Sequence, residues 1–351
     1  MKRIVLLSAA LPLVLGACEL APKTSTQNGY RGTGMDTVMV KTSAAADEVP
    51  APPYDLPESS GETAGAAYEN VQVLSGVSRE EFDYLMAALT EWVAPAEGCN
   101  YCHNPANLAS DELYTKQVAR QMIQMTQAIN GSWSSHVDQT GVTCWTCHRG
   151  ENVPENHWTM PQAASGKSTI VNNRSGQNAP VSNSAYSSLP NAAVALYLVG
   201  GLEPKQARVV SKGVYPSSAN TLTTKETENT YAMMAHITEA LGVNCTYCHN
   251  AQSFQSWSTS NPARQTAWHG LDMVRSINFD HITPLEAVLP DNRKGVMGDA
   301  YKVNCTTCHQ GQNKPLGGAK MAADYPALWQ ASAAQVPVAD ADEETEEGAG
   351  E

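Results

Sequence analysis

Four copies of one pentapeptide pattern, Cys-x-x-Cys-His, run through this chain: Cys99 to His103, Cys144 to His148, Cys245 to His249 and Cys305 to His309. Each copy has the composition of a covalent haem attachment site. Two thiols add across the haem vinyl groups, and the adjacent histidine becomes the proximal iron ligand. With nine cysteines and nine histidines in 351 residues, a chance match has odds of roughly (9/351)³, about one in 60,000 per start position. Four matches therefore point to a chain that holds four haems, through Cys99, Cys102, Cys144, Cys147, Cys245, Cys248, Cys305 and Cys308, with His103, His148, His249 and His309 on the irons. The chemistry expected of such a chain is electron transfer.

Paired cysteines can also mark a zinc site or a disulfide framework. Neither needs a histidine directly after the second cysteine, and neither would place one there four times. Four haems would also supply much of the apolar volume that side chains supply elsewhere. Only three phenylalanines are present, and 42% of the chain is hydrophobic. A thin, loop-rich, mainly α-helical shell with little regular β structure is expected, one that would not fold without its haem.

The ninth cysteine, Cys18, belongs to the N-terminus. Lys2 and Arg3 precede an apolar run from Ile4 to Leu15, which ends in Leu15-Gly16-Ala17-Cys18. That is a secretory signal over residues 1–17, closing on a sequence like the bacterial lipoprotein cleavage box. Cys18 would then carry a diacylglycerol, and two acyl chains suffice for stable attachment at about 0.8 kcal/mol per buried methylene. No later stretch has the 18 consecutive apolar residues of a membrane span. Export and tethering are the expectation.

The formal charge of −13 becomes −15 once Lys2 and Arg3 leave with the signal. This argues against nucleic acid as a partner and suits a basic protein partner drawn in by long-range attraction. Seven of the negative charges, Asp340, Asp342, Glu343, Glu344, Glu346, Glu347 and Glu351, crowd the end of the chain. Residues 331–351 read as an acidic, disordered, solvating tail.

Between the ends, the organisation is a repeat. Residues 18–70, rich in Thr, Ser, Ala, Gly and Pro, read as an extended lipid-anchored segment. Residues 71–151 carry the first two motifs and 223–330 the other two, joined by a connecting segment over 152–222. Asn follows the first motif of each half (Asn104, Asn250), and a polar turn with glycine follows the second (Arg149-Gly150, Gln310-Gly311). The long helices share Met125…Ile129-Asn130 and Met273…Ile277-Asn278. Two pseudo-symmetric haem-pair halves are the natural architecture. Ser78-Arg79-Glu80-Glu81 forms a capping box ahead of an apolar face of Phe82, Leu85, Met86, Leu89 and Val93. Thr223-Thr224-Lys225-Glu226 forms another, and Asn261-Pro262 a third helix start.

Each iron needs a second axial ligand, and a methionine thioether raises the reduction potential relative to a second histidine. By position the candidates are Met86, Met122, Met125, Met233 and Met234, each on a helix preceding a motif. Of the remaining histidines, His136, His157, His236, His269 and His281, only His136 stands out, and weakly, eight residues before Cys144.

These residues resemble a known family, the tetrahaem cytochrome subunit of purple-bacterial photosynthetic reaction centres. The likeness covers about residues 70–325 and the lipoprotein N-terminus. It rests on the four motifs in two pairs, the long helix between them, and the flanks Cys147-His148-Arg149-Gly150 and His309-Gln310-Gly311-Gln312-Asn313-Lys314-Pro315-Leu316. The resemblance implies three haems with His/Met ligation and one with His/His. By spacing, the distal ligands carry over onto Met86 for the first haem, Met122 for the second and Met234 for the third, with His136 serving the fourth. Met125 and Met233 become packing neighbours. It also implies a near-linear haem chain on the periplasmic face of the L and M subunits. Of the haems in that chain, the third lies nearest the bacteriochlorophyll special pair. A soluble cytochrome c or high-potential iron–sulfur protein would refill the haems after they re-reduce the photo-oxidised pair. Arg264 and Arg275 are candidates for raising haem potential. A tetrahaem reductase would need an open iron position, which four assignable distal ligands argue against. A respiratory tetrahaem lipoprotein carrier would use the same chemistry and is set aside by the family likeness alone.

Overall fold

The computed structural model describes residues 22–27, 36–41, 49–160, 181–199 and 224–329. The signal segment, Cys18, much of the connecting segment and the acidic tail lie outside these. The described chain is mainly helical, with a single two-stranded ribbon. No helix among the described residues is long and apolar enough to cross a membrane. The chain divides into two compact units: one spans Ala51–Asn152 and Lys320 onward, the other Val153–Ala319 with the N-terminal residues to Pro50.

The first unit holds α1 (Ala64–Ala67), α2 (Arg79–Val93), α3 (Tyr114–Ser132), α4 (Ser134–Val137) and α5 (Cys144–His148). α2 starts at the expected box: Glu81 N donates to Ser78 Oγ at 3.2 Å, and Ser78 N donates back to Glu81 Oε2 at 3.3 Å. Its apolar residues, however, form two faces rather than one. Tyr84, Leu85, Ala88 and Trp92 are buried in protein, while Phe82, Met86, Leu89 and Val93 are half-buried along an adjoining stripe.

Residues 320–329 complete this unit's core. Tyr325 stacks on Tyr84 with ring centroids 5.0 Å apart and meets Trp92 edge-on at 4.6 Å. From α3, Gln127 Nε2 donates to Ala327 O at 2.9 Å and Asn130 Nδ2 to Leu328 O at 3.0 Å. Asn130 also accepts from Val142 N at 2.7 Å and donates to Val142 O at 3.0 Å, pinning the chain just ahead of α5.

The second unit holds β1 (Lys23–Gln27), β2 (Asp36–Val40), α6 (Ala193–Leu198), α7 (Thr224–Leu241), α8 (Ala263–Ser276) and α9 (Cys305–His309). α8 runs on into a π turn over Ile277–Ile282, and that turn carries Asn278. Asn278 repeats the role of Asn130 closely: it accepts from Val303 N and donates to Val303 O, both at 2.8 Å, and donates to Leu198 O at 2.8 Å. The start of α8 uses the expected Asn261, whose Oδ1 accepts from Ala263 N at 3.2 Å. Thr223, the expected cap of α7, lies outside the described residues.

Part of the N-terminal segment is an antiparallel ribbon rather than an extended strand, pairing Lys23 with Val40 through Gln27 with Asp36. The β-branched residues Thr24, Thr26, Thr37, Val38 and Val40 favour that form. The ribbon docks beside the third motif. Asn244 N donates to Val38 O at 3.1 Å, Asn244 Nδ2 to Asp36 O at 2.7 Å, and Val40 N to Gly242 O at 2.8 Å. Gly242 sits at φ +62°, and a Cβ there would lie 2.1 Å from Gly311 O, so only glycine fits this crossing.

Candidate haem sites

The four motifs adopt two local forms, alternating along the chain. The first motif of each half is a single 3-10 turn, over Gly98–Tyr101 and Cys245–Tyr247. The second of each half is a one-turn α-helix, α5 or α9, closed by a left-handed residue (Arg149 at φ 52°, Gln310 at φ 49°) and then glycine. Both forms put two thiols on one side of a turn, with the histidine following.

Every motif histidine is oriented in the same way. Nδ1 of His103, His148, His249 and His309 lies 3.0, 2.8, 2.9 and 2.9 Å from the carbonyl oxygens of Leu108, Glu151, Phe254 and Gln312. A carbonyl only accepts, so Nδ1 carries the proton and Nε2 carries the lone pair that an iron takes. Burial pushes the pKa of His148 and His249 below the usual imidazole range, which favours the neutral, ligating form.

One thiol of each motif fits a thioether bond better than thiolate ligation. Burial pushes Cys144 and Cys305 up to about 12, and Cys102 and Cys248 up to about 11. A thiol in such surroundings stays neutral. None of the eight is in a disulfide. Two thiols and one imidazole per motif also fall short of a structural zinc site.

Hydrogen bonds put the distal helices of the two halves in register. Gly150 N donates to Trp92 O at 2.9 Å, and Gly311 N donates to Ala240 O at 2.8 Å. Counting back six residues from each acceptor reaches Met86 and Met234. Both are half-buried. Met233 falls opposite Leu85, and each of these is buried in its own unit's core. The matching bonds of Asn130 and Asn278 likewise place Met122 opposite Gly270, and Met125 opposite the buried Met273. His136 is half-buried on α4.

The other histidines have other surroundings. His157 donates from Nδ1 to Pro154 O at 2.7 Å, and its ring lies 4.3 Å from that of Tyr301. His236 is buried on the core face of α7, where α2 has Ala88, and burial depresses its pKa to about 4. His281 is held below its usual range by burial.

Arg264 stands at the third motif. Its Nη1 donates to Ser256 O and Ser260 Oγ at 2.8 Å each, and its guanidinium lies 3.9 Å over the Trp257 ring. Its charge acts on both Cys248 and His249. Arg275 is ion-paired with Asp272. Sequence reasoning missed a third cation. Lys116, buried on α3, donates from Nζ at 2.8 Å to Leu108 O, the same carbonyl that orients His103. Asp111 holds that lysine at 3.4 Å and Arg120 at 2.9 Å, and with Arg120 first among the causes its carboxyl lies well below the usual carboxylate range. Nothing in the spacing of Lys116 marked it.

With one thiol of each motif held neutral by burial and all four motif imidazoles fixed on Nδ1, these residues fit covalently held haem. A model of the photosynthetic reaction centre cytochrome C subunit family matches residues 19–329. The chain belongs to that family. The photosynthetic reaction center cytochrome c subunit of Rubrivivax gelatinosus is 43% identical over 325 residues, 92% of this chain and 87% of its own. The subunit of Thermochromatium tepidum is 42% identical over 333 residues, covering 93% and 80%. That of Roseobacter denitrificans is 38% identical over 331 residues, covering 88% and 86%. As a reaction-centre cytochrome subunit the chain is an electron-transfer protein with covalently bound haem c. It associates with the reaction-centre complex and hence with the photosynthetic membrane.

Proposed function

We propose that this subunit holds four haems and re-reduces the photo-oxidised special pair with electrons taken from a soluble periplasmic cytochrome c or high-potential iron–sulfur protein. The observation that carries the reading is the fourfold recurrence of a cysteine pair followed by an imidazole fixed through Nδ1 to a backbone carbonyl. Bound haem c supplies a one-electron iron couple at each site. The chain's own residues fix where those couples sit and how easily they are oxidised.

In this reading Cys99 and Cys102, Cys144 and Cys147, Cys245 and Cys248, and Cys305 and Cys308 form the covalent anchors. His103, His148, His249 and His309 are the proximal ligands. Met86, Met122 and Met234 are the distal ligands of the first three sites and His136 that of the fourth. With a methionine or second histidine to hold each haem beside its motif histidine, no site would be open to a substrate, which suits outer-sphere transfer rather than catalysis. Arg264, beside the third motif, favours the reduced state there because a nearby positive charge opposes removal of an electron. Lys116 acts in the same sense at the first motif. The docking partners are the L and M subunits, and the anchor is a lipid on Cys18 that holds the subunit at the periplasmic face of the membrane.

The intact mass of the purified subunit tests the cofactor count. We expect the polypeptide plus four haems, with all four motif peptides haem-bearing after digestion. Three or fewer haems would contradict the reading.

A further inference from the structure

The four motif turns are held in different ways. In the second and fourth, the residue before the first cysteine is tied to the motif's own turn. Thr143 N donates to Thr146 Oγ1 at 3.0 Å. Asn304 N donates to Thr307 Oγ1, and Thr307 N donates back to Asn304 Oδ1, both at 3.0 Å. The first motif is held by the long helix of its own half, where Thr115 on α3 donates from Oγ1 to Tyr101 O. The register set by Asn130 and Asn278 puts Ala263 opposite Thr115, so α8 carries no hydroxyl at that place.

The third motif is bonded instead to the N-terminal ribbon, 206 to 210 residues away in sequence. Asn244, directly before Cys245, behaves as a strand residue beside β2. Its backbone N donates to Val38 O and its Oδ1 accepts from Val38 N, both at 3.1 Å, while its Nδ2 donates to Asp36 O at 2.7 Å. Inside the motif, Thr246 Oγ1 donates to Asp36 O at 2.6 Å, and Thr37 Oγ1 donates to Thr246 O at 3.5 Å. The Thr246 hydroxyl has one proton, and the shorter contact takes it in preference to Asn244 Oδ1 at 3.0 Å. Thr37 and Thr246 are both buried. None of these bonds uses a cysteine sulfur or the His249 ring, so haem attachment removes none of their donors or acceptors.

We propose that Asn244 and Thr246 are positioning residues, through which the N-terminal ribbon braces the third haem site. They flank Cys245 on both sides, so the brace fixes the backbone that bears the first thioether. His249 N donates to Cys245 O at 3.0 Å, which carries the constraint on to the proximal ligand. The segment that links the lipid anchor to the body thereby also steadies the site that the family resemblance places nearest the special pair. Unfastening the brace admits water behind the motif. Water favours ferric over ferrous haem, because the ferric form carries one more positive charge, and so lowers the potential.

The test uses the full holoprotein with Asn244→Ala, Thr246→Val and Val38→Pro, read by stepwise potentiometric titration. Val38→Pro removes the N–H given to Asn244 and leaves the motif's own sequence untouched. If it unravels the ribbon, the brace is lost all the same. Each variant is expected to lower one midpoint, the same one in every variant, and to leave the others in place. Thr246→Ser keeps the hydroxyl and should restore that midpoint. Thr24→Val removes a hydroxyl from the ribbon that bonds only to Met39 O, and should change nothing. Met234→Leu and Met233→Leu mark the wave of the third haem, whichever of the two is its ligand. Unchanged midpoints, equal shifts at all haems, or a shift confined to any other wave would overturn the proposal. Where a variant attaches fewer haems, loss confined to the Cys245 peptide supports the brace, and loss spread over the motifs overturns it. The inference rests on the four-haem reading, and a Cys245 peptide without haem in the unaltered protein would refute that reading instead.

Discussion

Replacing Met234 by leucine is expected to lower the potential of the third haem by at least on the order of 100 mV, because axial ligand identity sets haem potentials over a range of about 0.8 V. The thioether stabilises ferrous iron, and leucine offers no lone pair. The same change one residue earlier, Met233→Leu, is expected to leave every potential in place. Met233 is fully buried opposite Leu85 in the core register, where a volume-conserving swap costs less than about 1.5 kcal/mol. The register from Gly150 to Trp92 O and from Gly311 to Ala240 O aligns Met234, and not Met233, with Met86. Potentiometric titration of the two variants checks this, and a drop in Met233→Leu alone would reverse the assignment.

Ending the chain after Ala319 is expected to cost the first two haems and spare the last two. Met321, Tyr325, Ala327 and Leu328 are all buried in the unit that carries the first two motifs. Fully burying each large apolar side chain contributes about 1.5–3 kcal/mol, so their joint loss rivals the 5–15 kcal/mol that typically stabilises a domain. The deletion also strands the Gln127 amide, whose acceptor is the carbonyl of Ala327, and takes from Asn130 one of its two acceptors, the carbonyl of Leu328. Haem-peptide mapping should then find the Cys245 and Cys305 peptides loaded and the Cys99 and Cys144 peptides depleted. A deletion starting at residue 330 should leave all four loaded. Equal loss from both halves in the longer deletion would contradict this account.

Much of the site could be read from residue types alone, because haem attachment demands chemistry that is rare and contiguous. The motifs, the capping box at Ser78 and the paired Asn130 and Asn278 are local signals, and the structure uses each of them. Other features depend on partners distant in sequence. Residues 320–329 carry no mark of the unit they join, since what places them is a tyrosine fitting between Tyr84 and Trp92. The ribbon of Lys23–Gln27 and Asp36–Val40 was hidden by the Thr- and Gly-rich composition of this region, which suits a tether as well as an edge strand. On α2 the single apolar face expected from periodicity divides into a buried and a half-buried stripe, since hydrophobicity alone does not report depth of burial. The pairing of Met234, rather than Met233, with Met86 across the repeat needed hydrogen-bond register, which only the folded backbone supplies.

The central claim is that this subunit delivers electrons to the photo-oxidised special pair. Flash spectroscopy on native membranes tests it most directly, by following the haem α-band after a saturating pulse. The account predicts haem oxidation on a submillisecond timescale, absent from membranes in which the gene is deleted. Four haems that remain chemically reducible but show no flash-induced oxidation would contradict it.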